Sequence, residues 1–188
     1  MVQKPGTKTS QGATARRRNG YTMAEFGPTL LLAFVVLVFP LWAFGTLGMR
    51  YVFLINAARL AAQQASRCQT FLSNTPNPGA VKVASTVSQK SLNSIGNNTV
   101  QWISTDTYIY VCPLGSTTVT TPGANKALTT QADPTNNSYN CVVKIHATLQ
   151  PVWPGFPSMV GSVPGLNASY DAWVQGTNFF ENSSNLNI

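Results

Sequence analysis

The sequence predicts an α+β protein: a long N-terminal transmembrane α-helix continues into a small domain with a second helix and an antiparallel β-sheet. An uncharged apolar run covers residues 26–49, which is longer than an ordinary buried helix segment needs. A helical pattern follows directly behind this run, and β-forming segments fill most of the C-terminal half. The 188 residues leave room for one domain outside such a helix.

The positive charge of the chain is concentrated before the apolar run. The net charge is +7, and five of the twelve basic residues but none of the five acids precede residue 20. Residues 21–188 carry seven basic and five acidic residues, a net charge of only +2. Because no basic face follows, Arg16-Arg17-Arg18 favours a topology signal over nucleic-acid binding. We therefore expect a cytoplasmic N-terminus and an outer C-terminal part.

The apolar run is long enough to cross a bilayer. As a helix it spans about 36 Å, against a hydrocarbon core of roughly 30 Å. Pro28 and Pro40 interrupt it, which membrane helices tolerate because neighbouring groups satisfy the freed carbonyls. A secretory signal peptide cut near Ala43 and Gly45, and a twin-arginine export signal, are the alternatives. The length of the run and the helical pattern behind it favour a retained anchor.

The anchor is expected to continue outward, and a second helix to follow it. Residues 51–72 keep helical spacing, with an apolar stripe that contains several alanines. Residues 74–79 form a turn that contains two prolines. In this turn Asn77 is placed to cap the second helix, with Pro78 at the first helical position. Gly96 is expected to end that helix.

Four segments have the composition of β-strands: residues 100–104, 108–112, 141–149 and 168–175. The third shows the clearest alternation of apolar and polar side chains. Strands that follow helices in this way indicate an antiparallel sheet. Residues 113–140 form a long polar insertion, rich in Thr, Asn and Ser.

The three cysteines indicate an oxidising compartment. Cys112 ends one predicted strand and Cys141 begins another, so a disulfide between them would close the polar insertion. Such a bond would stabilise the fold by about 3–4 kcal/mol in the chain-entropy model. Cys68 would then be a buried thiol or a partner for another subunit, and other pairings that include Cys68 stay open.

No catalytic constellation is indicated by the sequence. The single histidine, His146, lies on the polar side of a predicted strand, and the acidic residues have no paired spacing. There is neither a Cys/His cluster with metal-ligand spacing nor a glycine-rich phosphate loop. We therefore predict that the protein is not an enzyme and has no metal and no cofactor.

The junction between the basic leader and the apolar run carries a recognisable motif. Gly20 follows the arginine triplet, and Glu25 lies five residues further on, directly before Phe26. A carboxylate this close to a membrane helix costs free energy and usually has a partner. The order resembles the type IV prepilin signature, in which a basic leader ends in glycine and glutamate is the fifth residue after the cut. This resemblance implies that a prepilin peptidase cleaves between Gly20 and Tyr21.

A narrower resemblance rests on Glu25-Phe26 and on the segment Asn56-Ala57-Ala58-Arg59 behind the apolar run. Both are similar to the TadE-like family of tight-adherence (Flp) type IVc pilus systems, and residues 150–157 and 164–166 match it more loosely. The resemblance implies a pilin-like pseudopilin, or minor pilin, in which Glu25 and Phe26 serve subunit assembly. The carboxylate would attract the new α-amino group of a neighbouring subunit.

The same resemblance implies a domain organisation and a set of partners. Residues 1–20 would be the leader, 21–50 the transmembrane helix and 51–188 the extracytoplasmic domain. The partners would be the prepilin peptidase, other pilins, the assembly platform of the bacterial inner membrane and bilayer lipid, with no nucleic acid. The alternative is an unprocessed single-span protein whose outer domain binds a ligand or a surface. Aromatic side chains could serve such binding: Trp153, Phe156, Trp173 and Phe179.

Overall fold

The computed structural model describes residues 26–72, 77–96, 98–154 and 162–187. Along the chain it contains a long N-terminal helix, a second helix and a three-stranded antiparallel sheet, which confirms the predicted α+β class. The chain divides into two compact units, one ending at Phe44 and the other running from Gly45 to Ile188.

The N-terminal helix spans Phe26–Ala65 and widens once along its length. The segment Phe34–Val38 is π-helical, and the regular α-helix behind it, α1, is Phe39–Ala65. Pro40 follows the π-helical segment almost directly. Proline has no N–H for the preceding turn and its ring crowds that turn, so a wider turn accommodates it. Pro28 lies in the first described turn of this helix.

The C-terminal half of α1 packs closely on the sheet through small residues. Its buried side chains are nearly all alanines, from Ala57 to Ala65, with Leu54 as the one large member. The closest approach is at Gly176, where a Cβ atom would meet Ala58 O and would lie 2.6 Å from Arg59 N. Only a glycine in the strand and a small residue in the helix allow this contact.

The first helix ends at Ala65, seven residues before the predicted end at residue 72. The Ser66 carbonyl accepts the N–H of Glu181 at 3.1 Å, so the chain behind the last strand takes the place of a further helical turn. The residues that follow form turns, and Phe71 enters the core from them. The predicted apolar stripe is therefore helical only as far as Ala65; beyond it, Phe71 is buried in a turn and Leu72 is exposed.

The second helix, α2, is Ala80–Asn93. Its N-cap is Gly79 and not the predicted Asn77, and no side chain caps it. The first N–H groups of α2 instead bond to backbone carbonyls of the turn that follows α1: Ala80 to Thr70 at 3.0 Å and Val81 to Phe71 at 3.2 Å. These bonds replace a side-chain cap, because a helix end needs acceptors but not any particular source of them.

The sheet has the strand order β1-β2-β3, with β1 at Val100–Pro113, β2 at Asn137–Leu149 and β3 at Tyr170–Phe179. Two separate strands were predicted within β1, but the intervening residues also pair with β2. The register shifts between Trp102 and Ser104, as it does at a β-bulge. The fourth predicted strand begins and ends slightly later than expected.

Part of the polar insertion runs along the outer edge of β1. Val111 and Thr120 exchange two backbone hydrogen bonds, at 2.8 and 3.0 Å. Asn125, which has a positive φ of 54°, donates its N–H to Thr107 O at 2.7 Å and accepts the Thr107 N–H on its side-chain oxygen at 2.8 Å. These bonds satisfy backbone groups that an open edge would offer to another chain.

The core lies between the two helices and one face of the sheet. Alternate residues of β2, including Cys141, Val143 and Ile145, point into it and are fully buried. The largest fully buried side chains from outside the sheet belong to Phe71, Leu54 and Leu92, and Leu186 of the C-terminal segment joins them. The alternation that predicted this strand therefore also identified its buried face.

The predicted disulfide between Cys112 and Cys141 is not present in the structure, where all three cysteines are free. Cys112 pairs with Ser138, whereas Cys141 pairs with Ile109. Since Ile109 and Cys112 are three positions apart on one strand, their side chains point to opposite faces of the sheet. Cys141 faces the core and Cys112 the other side, a geometry that no disulfide can bridge.

Candidate functional site

The described part of the predicted transmembrane segment exposes its apolar side chains. Leu37, Leu41 and Phe44 are each more than 70% exposed, although they are among the most apolar residues of the chain. Only 6% of the most apolar 18-residue window of the helix is buried, which separates this helix from the core helix of a globular domain. The structure thus contains one N-terminal helix that is long and apolar enough to cross a membrane.

Arg50 is the first charged residue behind the apolar run, and its side chain is bound to the end of the sheet. Its guanidinium Nη1 donates to the carbonyl oxygen of Gln150 at 2.6 Å, across a hundred residues of sequence. Gln150 directly follows β2, and its own N–H donates to Thr99 O at 3.0 Å. The first charged side chain after the apolar run therefore makes a fixed hydrogen bond at the end of the sheet.

The residues predicted for cleavage and assembly lie at or before the first described position. Phe26 is the first described residue and is 65% exposed. Gly20, Tyr21 and Glu25 lie outside the described residues. Their roles in processing and assembly stay predictions from the motif.

The face of the sheet that points away from the helices carries a row of aromatic and charged side chains. We call it the outer sheet face and define it by Tyr108, Tyr110, Lys144, His146, Trp173 and Phe179. The His146 and Trp173 rings stack with centroids 4.1 Å apart and planes 8° apart, and Lys144 Nζ lies 4.8 Å from the centre of the Tyr108 ring. Stacking and cation–π contacts hold these rings in place on an exposed surface.

One end of the outer sheet face forms an open depression of about 310 Å³. Rings and polar groups both contribute to its lining: Tyr110, Asn140, Val142, Gln175, Thr177, Asn178 and Phe179. Such a mixture offers apolar contact and hydrogen bonding at the same place. Trp173 and Phe179 are exposed at 56% and 66%, Trp153 is exposed at 46%, and Phe156 lies outside the described residues.

A second depression, of about 480 Å³, lies between the C-terminal half of α1 and α2. Its lining mixes apolar and polar side chains and includes Lys82 and Lys90 from α2 but no acidic residue. The sequence did not predict this groove, because two lysines on one helix face ordinarily indicate nothing more than a solvated surface.

Among the described residues, no group of three or more His, Cys, Asp or Glu side chains is placed to hold a metal ion. The polar cluster around Asp133 is instead a turn: its carboxylate accepts hydrogen bonds from Thr135 and Asn136. These bonds lower the pKa of Asp133, since they favour the charged form.

Compared with known proteins, the chain matches no family model, no curated protein and no solved structure.

Proposed function

We propose that this protein is a pilin-like pseudopilin, or minor pilin, of the TadE-like kind, which takes part in assembling a tight-adherence (Flp) type IV pilus. One combined observation carries the proposal. A basic leader ends in Gly20, Glu25 lies five residues further on, and a helix with exposed apolar side chains begins directly behind it. Each part alone has ordinary explanations, but the combination meets the requirements of a processed membrane subunit.

The chemistry of the junction gives each of these residues a task. Glycine offers a prepilin peptidase an unhindered scissile backbone, and cleavage after Gly20 exposes the α-amino group of Tyr21. In a neighbouring subunit Glu25 presents a carboxylate to that amine, so that two charges at the membrane compensate each other. Phe26 begins the apolar surface that contacts lipid or other subunits.

The proposed location follows from the charge asymmetry. The leader stays in the cytoplasm, one helix crosses the bacterial inner membrane, and the outer domain faces the periplasm or the cell exterior. In this location the protein meets the prepilin peptidase, other pilins and the assembly platform. No catalytic, cofactor or nucleic-acid role is part of the proposal.

The N-terminal residue of the mature protein tests the proposal. We expect Tyr21 as the first residue when the protein is purified from cells that make the pilus, and a loss of leader cleavage when Gly20→Trp is introduced. Gly27→Ala is the matched control, because a Cβ there meets nothing within 4 Å. Intact-mass spectrometry distinguishes the outcomes. A mature chain that still begins at Met1 or Val2 contradicts processing, and one that begins at Thr46 indicates secretion.

A second candidate function is that of a single-span anchored binding protein, which the outer sheet face favours. Its stacked rings and its open depression have the composition of a ligand surface. An unprocessed N-terminus, together with pilus assembly that is unchanged when the protein is deleted, would select this function over the first.

A further inference from the structure

Two of the three cysteines lie on the same side of the sheet and in the same core. Cys141 is fully buried on the inner face of β2, and Cys68 is half-buried three residues beyond the end of α1. Cys68 packs against the hydrophobic cluster that contains Cys141. This arrangement differs from the predicted pairing of Cys112 and Cys141, which the sheet itself separates.

A chain of contacts links the segments that carry the two thiols. Cys141 lies directly opposite Asn178 in the pairing of β2 with β3. The side-chain amide of Asn178 donates to Ser66 Oγ at 2.7 Å, and Ser66 is two residues before Cys68. The backbone contact between Glu181 N and Ser66 O, at 3.1 Å, holds the same turn against the end of β3. The turn that carries Cys68 is therefore fixed beside the strand position next to Cys141.

The Cys68 thiol is also accessible from outside. It lines an open depression of about 430 Å³, together with Gln64, Arg67 and Val83. Among the described residues, the Cys68 thiol makes one hydrogen bond, a weak one from Sγ to the Gln64 carbonyl at 3.6 Å. A small disulfide in solution can therefore reach Cys68, although Cys141 is closed to it.

We propose that Cys68 and Cys141 form an intramolecular disulfide that joins the end of the membrane helix to the central strand. The oxidant is a second disulfide, either a small molecule or an exported thiol–disulfide oxidoreductase. The Cys68 thiolate attacks it, forms a mixed disulfide and releases one thiol; the Cys141 thiolate then attacks Cys68 Sγ and releases the other. Two protein thiols are oxidised and one external disulfide is reduced, with two protons passing to the released thiolates.

The protonation state of the two thiols controls how fast the bond forms at a given pH. Burial raises the pKa of Cys68, while burial and then the neighbouring Cys68 thiol raise the pKa of Cys141 to about 12. Since only a thiolate attacks, oxidation of the folded chain is slow at neutral pH and accelerates as the pH rises. Oxidation is faster during folding, when both groups are still hydrated. The two thiols are unbonded here, so closure requires the turn that carries Cys68 to move toward β2.

The bond would connect two parts of the protein that experience different forces. In a pilus or its assembly machinery, the helix is held by its neighbours while the outer domain is exposed. A covalent link from the end of α1 to the middle strand would keep the sheet attached to the helix if the core opened. The inference rests on the proposed extracytoplasmic location only for the source of the oxidant in the cell.

The test uses the full chain in detergent micelles, incubated with oxidised glutathione and then blocked with a maleimide. We expect one maleimide adduct, on Cys112, in place of three, and a mass about 2 Da below that calculated for the chain with one adduct and no disulfide. After proteolysis without reductant we expect a linked peptide pair that contains Cys68 and Cys141. We also expect oxidation to raise the midpoint of thermal unfolding by about 10 °C, since the closed loop is long. A linked peptide that contains Cys112, a covalent dimer, or three alkylated thiols would overturn the inference.

Two variants separate the bond from general effects on folding. Cys112→Ala is the matched control and should form the bond at an unchanged rate. Cys68→Ala should lose both the bond and the thermal shift while its reduced form melts close to the reduced wild type. Because purified protein and added glutathione are used, the result is independent of pilus assembly. A chain that forms the bond but is never cleaved after Gly20 would contradict the proposed function and leave this inference standing.

Discussion

Thr107 is a buried polar residue whose hydroxyl has no hydrogen-bond partner among the described residues. It lies on β1 and is fully buried. A hydroxyl taken out of water without compensation lowers stability. Thr105, two positions earlier on the same strand, has the same chemistry but a different situation. Its Oγ1 accepts the indole N–H of Trp102 at 2.9 Å.

These two threonines make a matched pair of substitutions. We expect Thr107→Val to raise the free energy of unfolding by about 1–2 kcal/mol, because it removes an unsatisfied group and keeps the shape. We expect Thr105→Val to lower it by about 1 kcal/mol, because the Trp102 N–H loses its acceptor. Urea unfolding of each variant in micelles checks both signs. Equal effects of the two substitutions would show that the Thr107 hydroxyl is satisfied in solution.

At the scale of elements, the contact between α1 and β3 depends on the absence of one side chain. The backbone of α1 at Ala58 and Arg59 lies against Gly176, which leaves no space for a Cβ atom. Backbone cannot move aside as a flexible side chain can, so the helix as a whole would have to shift. The alanines that face the sheet keep this distance short along the C-terminal half of α1.

Gly176→Ala should therefore be strongly destabilising. We expect it to lower the free energy of unfolding by about 3 kcal/mol, the upper part of the range for overpacked cores. Gly48→Ala is the control, because a Cβ there meets nothing within 4 Å and alanine favours a helix. Thermal unfolding monitored by circular dichroism distinguishes them. A Gly176→Ala protein as stable as the Gly48→Ala protein would mean that α1 does not lie this close to β3.

At the scale of the whole molecule, polar and apolar surfaces are divided along the chain. The described part of the first unit, from Phe26 to Phe44, exposes large apolar groups almost throughout, whereas the unit that begins at Gly45 contains the buried core. A bilayer around the helix would solvate its exposed apolar side chains, and water would solvate the unit that begins at Gly45. In the sequence, Glu25 is the one acid next to the apolar run.

Glu25 gives the whole-molecule prediction. We expect Glu25→Ala protein to be inserted and cleaved but to lower the amount of assembled pilus at least tenfold, because the freed α-amino group of the neighbour loses its partner. Quantifying the protein in sheared fibres and in membranes separates assembly from insertion. Glu25→Asp, which keeps the charge, is expected to retain more assembly than Glu25→Ala. Normal pilus yield from Glu25→Ala would contradict the pairing of these charges.

Several elements could be predicted because their determinants are local. The apolar run needs only its composition, and the alternation of Cys141, Val143 and Ile145 identifies a strand and its buried face without any knowledge of its neighbours. The ends of elements were less predictable. Whether a helix stops at Ala65 depends on the bond between Glu181 N and Ser66 O, two groups separated by most of the domain. Local propensity contains no information about such a partner.

The cysteines show most directly which features local sequence can predict and which depend on the fold. From the sequence, Cys112 and Cys141 were both strand residues that flanked one insertion, and a bridge between them was reasonable. The register of β1 with β2 places them on opposite faces, and a shift of register by one residue would have changed that result. Register is set by the packing of the whole sheet, so the partners of each thiol could be known only from the fold.

By itself, then, the amino-acid order determined the α+β class, the apolar helix and the motif around Gly20 and Glu25, since each depends on composition or on spacing within a few residues. Only the tertiary structure decided where α1 ends, how closely it lies on Gly176, and which thiols share a core. The physical reason is that these features are contacts between residues far apart in the chain. Their geometry is set by sheet register and close packing, which no local pattern encodes.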